Sequence, residues 1–185
     1  MKKLILIILI PFYTLSYGQN FVVTPNGLRD EKDIEKTFVV IQADSMTAKQ
    51  LFDNAMRYIK VSYNNPDYVI KSKIEGDYLK FITRGNSLCV LGREIIDCTY
   101  TTVLNFKDGK VKYEIADFEM FTTDRYRSSK LSVHFIKSTW LLGIYNKEGV
   151  LKEDLAKRSI ENYFNTEMKS VITFLKGKAK LENNW

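Results

Sequence analysis

The segment TTVLNFKDGKVKYEI, residues 101–115, constrains the fold of this chain more than any other stretch. Asp108-Gly109 is a favoured two-residue hairpin turn, and such a turn fixes the register of the strands that it joins. One face of the predicted hairpin then receives the largely apolar pairs Phe106 with Val111, Leu104 with Tyr113 and Thr102 with Ile115. The other face receives a mixed set: Asn105 with Lys112, Val103 with Glu114 and Thr101 with Ala116. This contrast predicts an antiparallel sheet that is covered on one side only.

Two amphipathic helices are predicted, one before and one after the main strands. Thr47 and Gln50 fit a capping box, and apolar residues then recur at helical spacing until residues 64–66 (Asn-Asn-Pro) end the helix. The second helix lies between Leu151 and Leu175, with a glycine at position 177 as its stop signal. Its predicted apolar stripe consists of Leu155, Ile160, Phe164, Met168, Val171 and Leu175.

The remaining strand signals complete an α+β order. Residues 37–42 are rich in β-branched side chains, and the strands predicted at 68–74 and 78–83 flank a tight Glu-Gly-Asp turn. With the hairpin above, the order is β-α-β-β-β-β-α: about five antiparallel strands with two main helices on one face. Residues 19–36 are expected to form a lead-in segment. Residues 121–147 are left unassigned, apart from the strand-like alternation of Leu131, Val133 and Phe135.

The first eighteen residues, MKKLILIILIPFYTLSYG, predict a cleaved secretory signal peptide. Lys2 and Lys3 precede an apolar run that is too short to span a bilayer as a helix. Ser16 and Gly18 place small residues before a cleavage site at Gln19, and no cysteine follows to receive a lipid anchor. We therefore expect residues 19–185 to form a single exported domain in the periplasm or at the cell surface, without a transmembrane span.

The charge of the chain is unevenly distributed. The formal net charge is +6, and residues 125–185 hold 12 Lys and Arg against 6 Asp and Glu. A basic C-terminal region suits an anionic surface, and the alternative is a solvated helix face followed by a soluble tail. Export argues against a nucleic-acid partner, and the aromatic residues lack the clustering with Arg and Lys that base-stacking surfaces show.

Cys89 and Cys98 are the only cysteines. In an oxidising compartment they permit one disulfide. A hairpin turning at Gly92-Arg93 would set them directly opposite, at a Cα separation of about 5.5 Å that a bridge tolerates. The alternative is a pair of buried thiols.

The residue types that carry common chemistries do not form a recognisable catalytic, cofactor or metal set. His134 is the only histidine, so a common zinc site lacks its ligands. The serines near it have no nucleophile-elbow glycines, and the glycines elsewhere never form a phosphate-binding loop. Eleven tyrosines and eleven phenylalanines suit either the rim of a sheet–helix core or a surface for a partner or a glycan. We expect no cofactor and no enzymatic activity.

Four segments together resemble a known bacterial family: FVVTPNGL, AKQLFDNAMRYIKVSYNNPDYVI, the hairpin TTVLNFKDGKVKYEI and IYNKEGVLKEDLAKRSIENYFN. The chain is similar to the domain of unknown function with a TATA-binding-protein-like (TBP-like) fold that is common in Bacteroidetes. The resemblance implies the β-α-β-β-β-β-α order but no activity and no site residue. The fold name does not imply DNA binding, because a shared fold is weak evidence for a shared function.

The function that these observations favour is an exported, non-catalytic binding or structural module whose partner is an envelope protein or a glycan. The predicted interaction face carries Thr101, Val103, Asn105, Lys112, Glu114 and Ala116, unless residues 121–147 cover it. One alternative is a peripheral envelope protein that binds anionic surfaces through a basic C-terminal helix around Lys157, Arg158 and Lys169. Another is a small exported hydrolase, which would need a pocket with converging carboxylates.

Overall fold

A computed structural model describes residues 19–123, 130–137 and 142–179, so the predicted signal peptide lies outside the described residues. The strands are β1 Phe21–Thr24, β2 Gly27–Asp30, β3 Phe38–Gln42, β4 Ile70–Ile74, β5 Tyr78–Leu91, β6 Glu94–Lys107, β7 Lys110–Thr123, β8 Lys130–Ile136 and β9 Gly143–Tyr145. The helices are α1 Ala48–Ser62, α2 Pro66–Val69 and α3 Asp154–Leu175.

The main sheet has the strand order β4-β5-β6-β7-β8-β9. The outer edge of β7 is shared, because β3 pairs with its first residues and β8 pairs with its last four. Every pairing is antiparallel except that of β8 with β9. The series β3-α1-β4-β5-β6-β7-α3 matches the predicted α+β order. The structure adds β1, β2, β8 and β9 to the five predicted strands.

The register predicted for the central hairpin is confirmed for all six pairs, from Phe106 opposite Val111 to Thr101 opposite Ala116. Gly109 adopts φ +74° in the turn, a left-handed conformation that glycine adopts without strain. Beyond these pairs the register shifts, because Thr99 lies opposite Glu119. Asp117, at φ +49°, is part of the resulting β-bulge.

The two long helices cover one face of the sheet. Thr47 caps α1 as predicted: its hydroxyl accepts from the Gln50 amide at 3.2 Å, and the Gln50 side chain accepts from the Thr47 amide at 2.9 Å. The α3 stripe is buried as predicted with one exception. Leu155 is 76% exposed, and Ala156 is buried in its place. The reason is helical phase, since Ala156 lies four residues before Ile160, which itself lies four before Phe164.

Residues 19–36 are more than a lead-in segment, because β1 and β2 form a separate two-stranded ribbon in this region. Phe21 and Val23 are buried in the same hydrophobic cluster as the sheet and both long helices. The side chain of Asn165 on α3 accepts from the Phe21 amide at 2.7 Å and donates to the Phe21 carbonyl at 3.0 Å. This pairing joins residues 144 positions apart, which local sequence patterns do not reveal.

Candidate functional site

The sheet presents a second face, opposite the helices, which we call the outer face and define by Thr101, Val103, Asn105, Lys112 and Glu114. Four of these side chains are half-buried, as expected for neighbours on a flat sheet surface. Thr101 differs from the prediction of an accessible interaction face, because only 4% of this residue is exposed to solvent. Lys80 on β5 and Asp117 on β7 form an ion pair at 3.2 Å. This pair links the strands on either side of β6, and Thr101 itself is flanked by Ile82 on β5 and Ala116 on β7.

Acidic and basic side chains are paired across the outer face. Lys112 Nζ lies 2.8 Å from Glu114 Oε2 and 4.4 Å from the centroid of the Phe38 ring. The Thr37 hydroxyl donates to Glu114 at 2.9 Å, and Arg84 lies 3.9 Å from Asp97. The outer face therefore combines apolar side chains with charges that neutralise one another locally.

The described part of residues 121–147 adds β8 and β9 to the edge of the sheet. β8 pairs in register with the end of β7, so Ser132 lies opposite Phe121. Phe121 is 3% exposed, and the ammonium of Lys130 lies 4.2 Å from its ring centroid. The remaining residues of the segment, 124–129 and 138–141, lie outside the described residues. Within the described ranges, no helix packs on the outer face.

The prediction that a turn sets Cys89 opposite Cys98 is wrong. The turn does fall at Gly92-Arg93, since Leu91 pairs with Glu94, but that register places Cys89 opposite Ile96. A bulge between Gly85 and Cys89 then brings Cys98 opposite Gly85. Both thiols are free and buried in the structure. Burial raises the pKa of each thiol to about 12, so both resist ionisation.

A cleft that sequence reasoning missed lies between α1, α3 and β5. We call it the tyrosine cleft and define it by Tyr58, Tyr63, Thr83, Tyr163, Glu167 and Phe174. Its volume is about 640 Å³, within the range of small-ligand sites. The only sequence signal for it was the high number of tyrosines. Three distant segments form the cleft, so no local motif could show it.

Aromatic contacts fix the walls of the tyrosine cleft. The Tyr58 ring packs edge-to-face against Phe174 at a centroid distance of 5.4 Å and against Tyr63 at 6.2 Å. The Tyr63 hydroxyl lies 2.6 Å from the Thr83 hydroxyl, and the Tyr163 hydroxyl lies 3.4 Å from that of Tyr100 on the core side. Burial raises the pKa of Tyr163 to about 12, so its hydroxyl stays protonated at neutral pH.

Glu167 supplies the negative charge of the tyrosine cleft. The side chain is half-buried, and burial raises the pKa of its carboxyl, an effect that a hydrogen bond from Tyr58 partly offsets. Within the described residues Glu167 has no ion-pair partner. The carboxylate is therefore open to a donor from a bound molecule.

The basic charge of the C-terminal region does not lie on α3. Within residues 154–175 there are three acidic and three basic residues. Lys157 pairs with Glu161, and Arg158 pairs with Asp154, each at helical spacing. The excess of Lys and Arg comes from residues before and after the helix. The predicted anionic-surface interaction through α3 therefore lacks a basic helix face.

Among the residues that the structure describes, no group of three or more His, Cys, Asp and Glu side chains has the arrangement to hold a metal ion. None of the helices in those residues combines the length and the apolar character that a membrane span requires.

Comparisons with known proteins agree with the fold. Residues 38–121 match the family described as a domain of unknown function (DUF4468) with TBP-like fold. A DUF4468 family protein from Bacteroides ovatus has a crystal structure that is similar at 15% identity and a TM-score of 0.54, covering 78% of this chain and 87% of that one. A TBP-like protein from Parabacteroides distasonis is similar at 11% identity and a TM-score of 0.57, covering 75% and 90%. No curated protein matches the chain.

Proposed function

We propose that this chain, whose residues 38–121 match the DUF4468 family with TBP-like fold, is an exported, non-catalytic binding module of the bacterial envelope. In this proposal the signal peptide directs export, and residues 19–185 act as one domain that docks a partner protein on the outer face of the sheet.

The observation that carries the proposal is the difference between the two faces of the sheet. Leu104, Phe106 and Tyr113 are buried beneath the helices, whereas Val103, Asn105 and Lys112 on the same strands are half-exposed and have no helix over them within the described ranges. A flat surface of apolar side chains and locally paired charges is typical of protein–protein contact surfaces. A polyanion such as nucleic acid would instead require unpaired basic side chains.

The non-catalytic part of the proposal rests on the chemistry of the tyrosine cleft. Glu167 is the one acidic side chain among the described residues that line it. Glycoside hydrolysis generally uses two carboxylates that flank the scissile bond, and a hydrolase site would bring such groups together. The cleft is suited to holding a molecule and lacks a second group to activate water.

The experiment compares how tightly the native chain and charge-swapped variants bind a partner that is captured from the envelope. The tagged chain is cross-linked in its native envelope, and the partner is identified and purified. The dissociation constant is then measured for the native chain and for K112E/E114K. This swap keeps an acid beside a base, so we expect the fold to survive and the partner to bind at least about tenfold more weakly.

A matched control shows whether a loss of partner binding is specific to the outer face or follows from any charge swap on the surface. Lys49 and Asp53 form an exposed ion pair on α1 at 3.2 Å, on the helix-covered side of the sheet. The swap K49D/D53K should leave binding unchanged. Equal binding by K112E/E114K and the native chain would refute docking on the outer face. Weakening only by the α3 swap D154R/R158D would instead favour a helix surface.

A further inference from the structure

We propose that the tyrosine cleft is a carbohydrate-binding site that takes a neutral mono- or oligosaccharide. The site lies beside α1 and α3, whereas the proposed protein-docking surface is the outer face of the sheet. The inference therefore goes beyond the proposed function and can fail or succeed independently of it.

The wall composition of the tyrosine cleft matches the two kinds of surface that a sugar presents. A pyranose ring has faces of C–H groups and a rim of hydroxyls. Tyr63 and Tyr163 are half-buried and each offer an apolar ring together with a polar hydroxyl, whereas the Tyr58 ring is buried behind them. Phe174 adds a purely apolar ring, which contacts Tyr58 at a centroid distance of 5.4 Å. Side chains of this kind contact the C–H faces and the hydroxyl rim at the same time.

Hydroxyl groups dominate the polar lining of the tyrosine cleft. Ser62, Thr83 and Ser170 add three aliphatic hydroxyls to those of the three tyrosines, and Asn64 adds an amide. Each hydroxyl has one donor hydrogen and two acceptor lone pairs, so contacts such as Tyr63 with Thr83 leave acceptor capacity for a ligand. A ligand rich in hydroxyls finds many complementary partners here.

Glu167 provides a strong acceptor between these groups. A carboxylate has two oxygens and accepts hydrogen bonds from two adjacent sugar hydroxyls at once. Its carboxyl is half-buried and accepts a hydrogen bond from Tyr58, a donor rather than a counter-ion. The carboxylate would gain hydrogen bonds from a bound sugar, which would compensate for its lost contact with water.

Charge and size distinguish a sugar from the other ligands that aromatic sites bind. An anion such as phosphate is disfavoured by Glu167, since Arg84, the cleft's basic side chain, is directed toward Asp97 and the Phe121 ring. A small ammonium ion needs one carboxylate and a few ring faces. It would leave most of a 640 Å³ cleft and its hydroxyls unused.

The test measures binding of defined small molecules to the folded chain. The probes are glucose, galactose, N-acetylglucosamine and the β-1,4-linked disaccharides of glucose and N-acetylglucosamine, each at millimolar concentration. Tetramethylammonium and inorganic phosphate serve as the cationic and anionic comparisons. Binding is followed by saturation-transfer NMR and by calorimetry.

Three variants locate any binding that is found. E167Q removes the negative charge of the cleft and should weaken sugar binding by about tenfold, because hydrogen bonds to a charged group are stronger than neutral ones. S170W places an indole at an exposed position of α3 in the cleft wall and should block binding. T166W places the same group one helical turn earlier, at an exposed position outside the lining, and should bind as the native chain does.

The outcomes are distinct. Binding of at least one sugar that is lost in S170W and kept in T166W supports the proposal. Binding of tetramethylammonium or phosphate without any sugar overturns it, as does a sugar bound equally by S170W and the native chain. No binding by any probe also overturns it, and that result would leave docking on the outer face unaffected.

Discussion

Gly143→Ala should destabilise the chain more than its single added methyl group suggests. Gly143 begins β9, which runs parallel to β8. A Cβ at this position would lie 2.3 Å from the backbone nitrogen of Lys137, 2.5 Å from its Cα and 2.7 Å from the carbonyl carbon of Ile136. These are backbone atoms, so no rotamer change relieves the contact and the two strands must move apart.

The magnitude follows from the contacts that would be lost. Overpacking of a well-packed site lowers the free energy of unfolding by about 1–3 kcal/mol. We expect the upper end of this range here, because the contacts are with backbone atoms that side-chain rotation cannot relieve. Strand separation also weakens the bond from the Lys137 amide to the Tyr145 carbonyl, which is 2.7 Å long and contributes about 1 kcal/mol. We expect the free energy of unfolding to fall by about 3–4 kcal/mol, and the thermal midpoint by roughly 10 °C.

Urea and thermal unfolding followed by circular dichroism measure this effect, with Gly85→Ala as the matched control. A Cβ at Gly85 would also approach its neighbours too closely, at 2.5 Å from Tyr163 Oη and 2.7 Å from Cys98 Sγ. These atoms belong to side chains, and Tyr163 is half-buried, so a side-chain shift can relieve part of the contact without moving the backbone. We expect a smaller loss of about 1–2 kcal/mol. A Gly143→Ala variant as stable as the native chain, or less affected than Gly85→Ala, would refute the reasoning.

Three further predictions concern processing, the thiols and Glu167. Mass spectrometry of the exported protein should show an N-terminal Gln19 or its cyclised form, and an intact Met1 in mature material would contradict the predicted cleavage. Cys89 and Cys98 should react slowly with iodoacetamide at pH 8 in the folded chain and rapidly in denaturant, because burial raises the pKa of both thiols to about 12; rapid alkylation of the native protein would show that they are accessible. Burial raises the pKa of Glu167, so the folded state binds more protons and stability should fall as the pH rises through the ordinary titration range of a glutamate and above it. The variant E167Q should lack that part of the pH dependence in thermal unfolding, and an unchanged pH profile would contradict the assignment.

Local signals account for the part of the fold that could be predicted. The Asp108-Gly109 turn sets the register of its two strands directly, and all six predicted pairs are present. The capping box of Thr47 and Gln50 likewise acts within one helical turn, and α1 begins where it indicates. In both cases the residues that determine the structure lie next to one another in the chain.

The errors in the prediction arise where the local structure depends on contacts between residues that are far apart in the sequence. β1 is held in place because its Phe21 and Val23 amides donate to side chains of α3, more than 130 residues away. The pairing of Cys98 depends on the bulge before Cys89, where Ser87 adopts φ +54° and its amide donates to Asp97 at 2.9 Å. No turn motif in the sequence marks this bulge. Leu155 was misplaced because the first turn of α3 begins one residue out of phase with the predicted stripe.

The two candidate sites differ in the same way: local sequence determines one, and contacts between distant segments determine the other. The outer face follows from strand alternation, so its members were predicted from the hairpin alone, with Thr101 the one buried exception. The tyrosine cleft combines the end of α1, the middle of β5 and the second half of α3. Its side chains come together only after the helices pack, and no spacing in the sequence relates them.

Site-specific photo-cross-linking in the native envelope tests the central claim most directly. A photoreactive amino acid replaces Asn105 on the outer face, and in a second variant it replaces Lys49 on the helix-covered side. The account predicts a covalent adduct with a partner protein from position 105 and none from position 49. An adduct from position 49 alone, or no adduct from position 105, would contradict the claim that the protein acts through the outer face of its sheet.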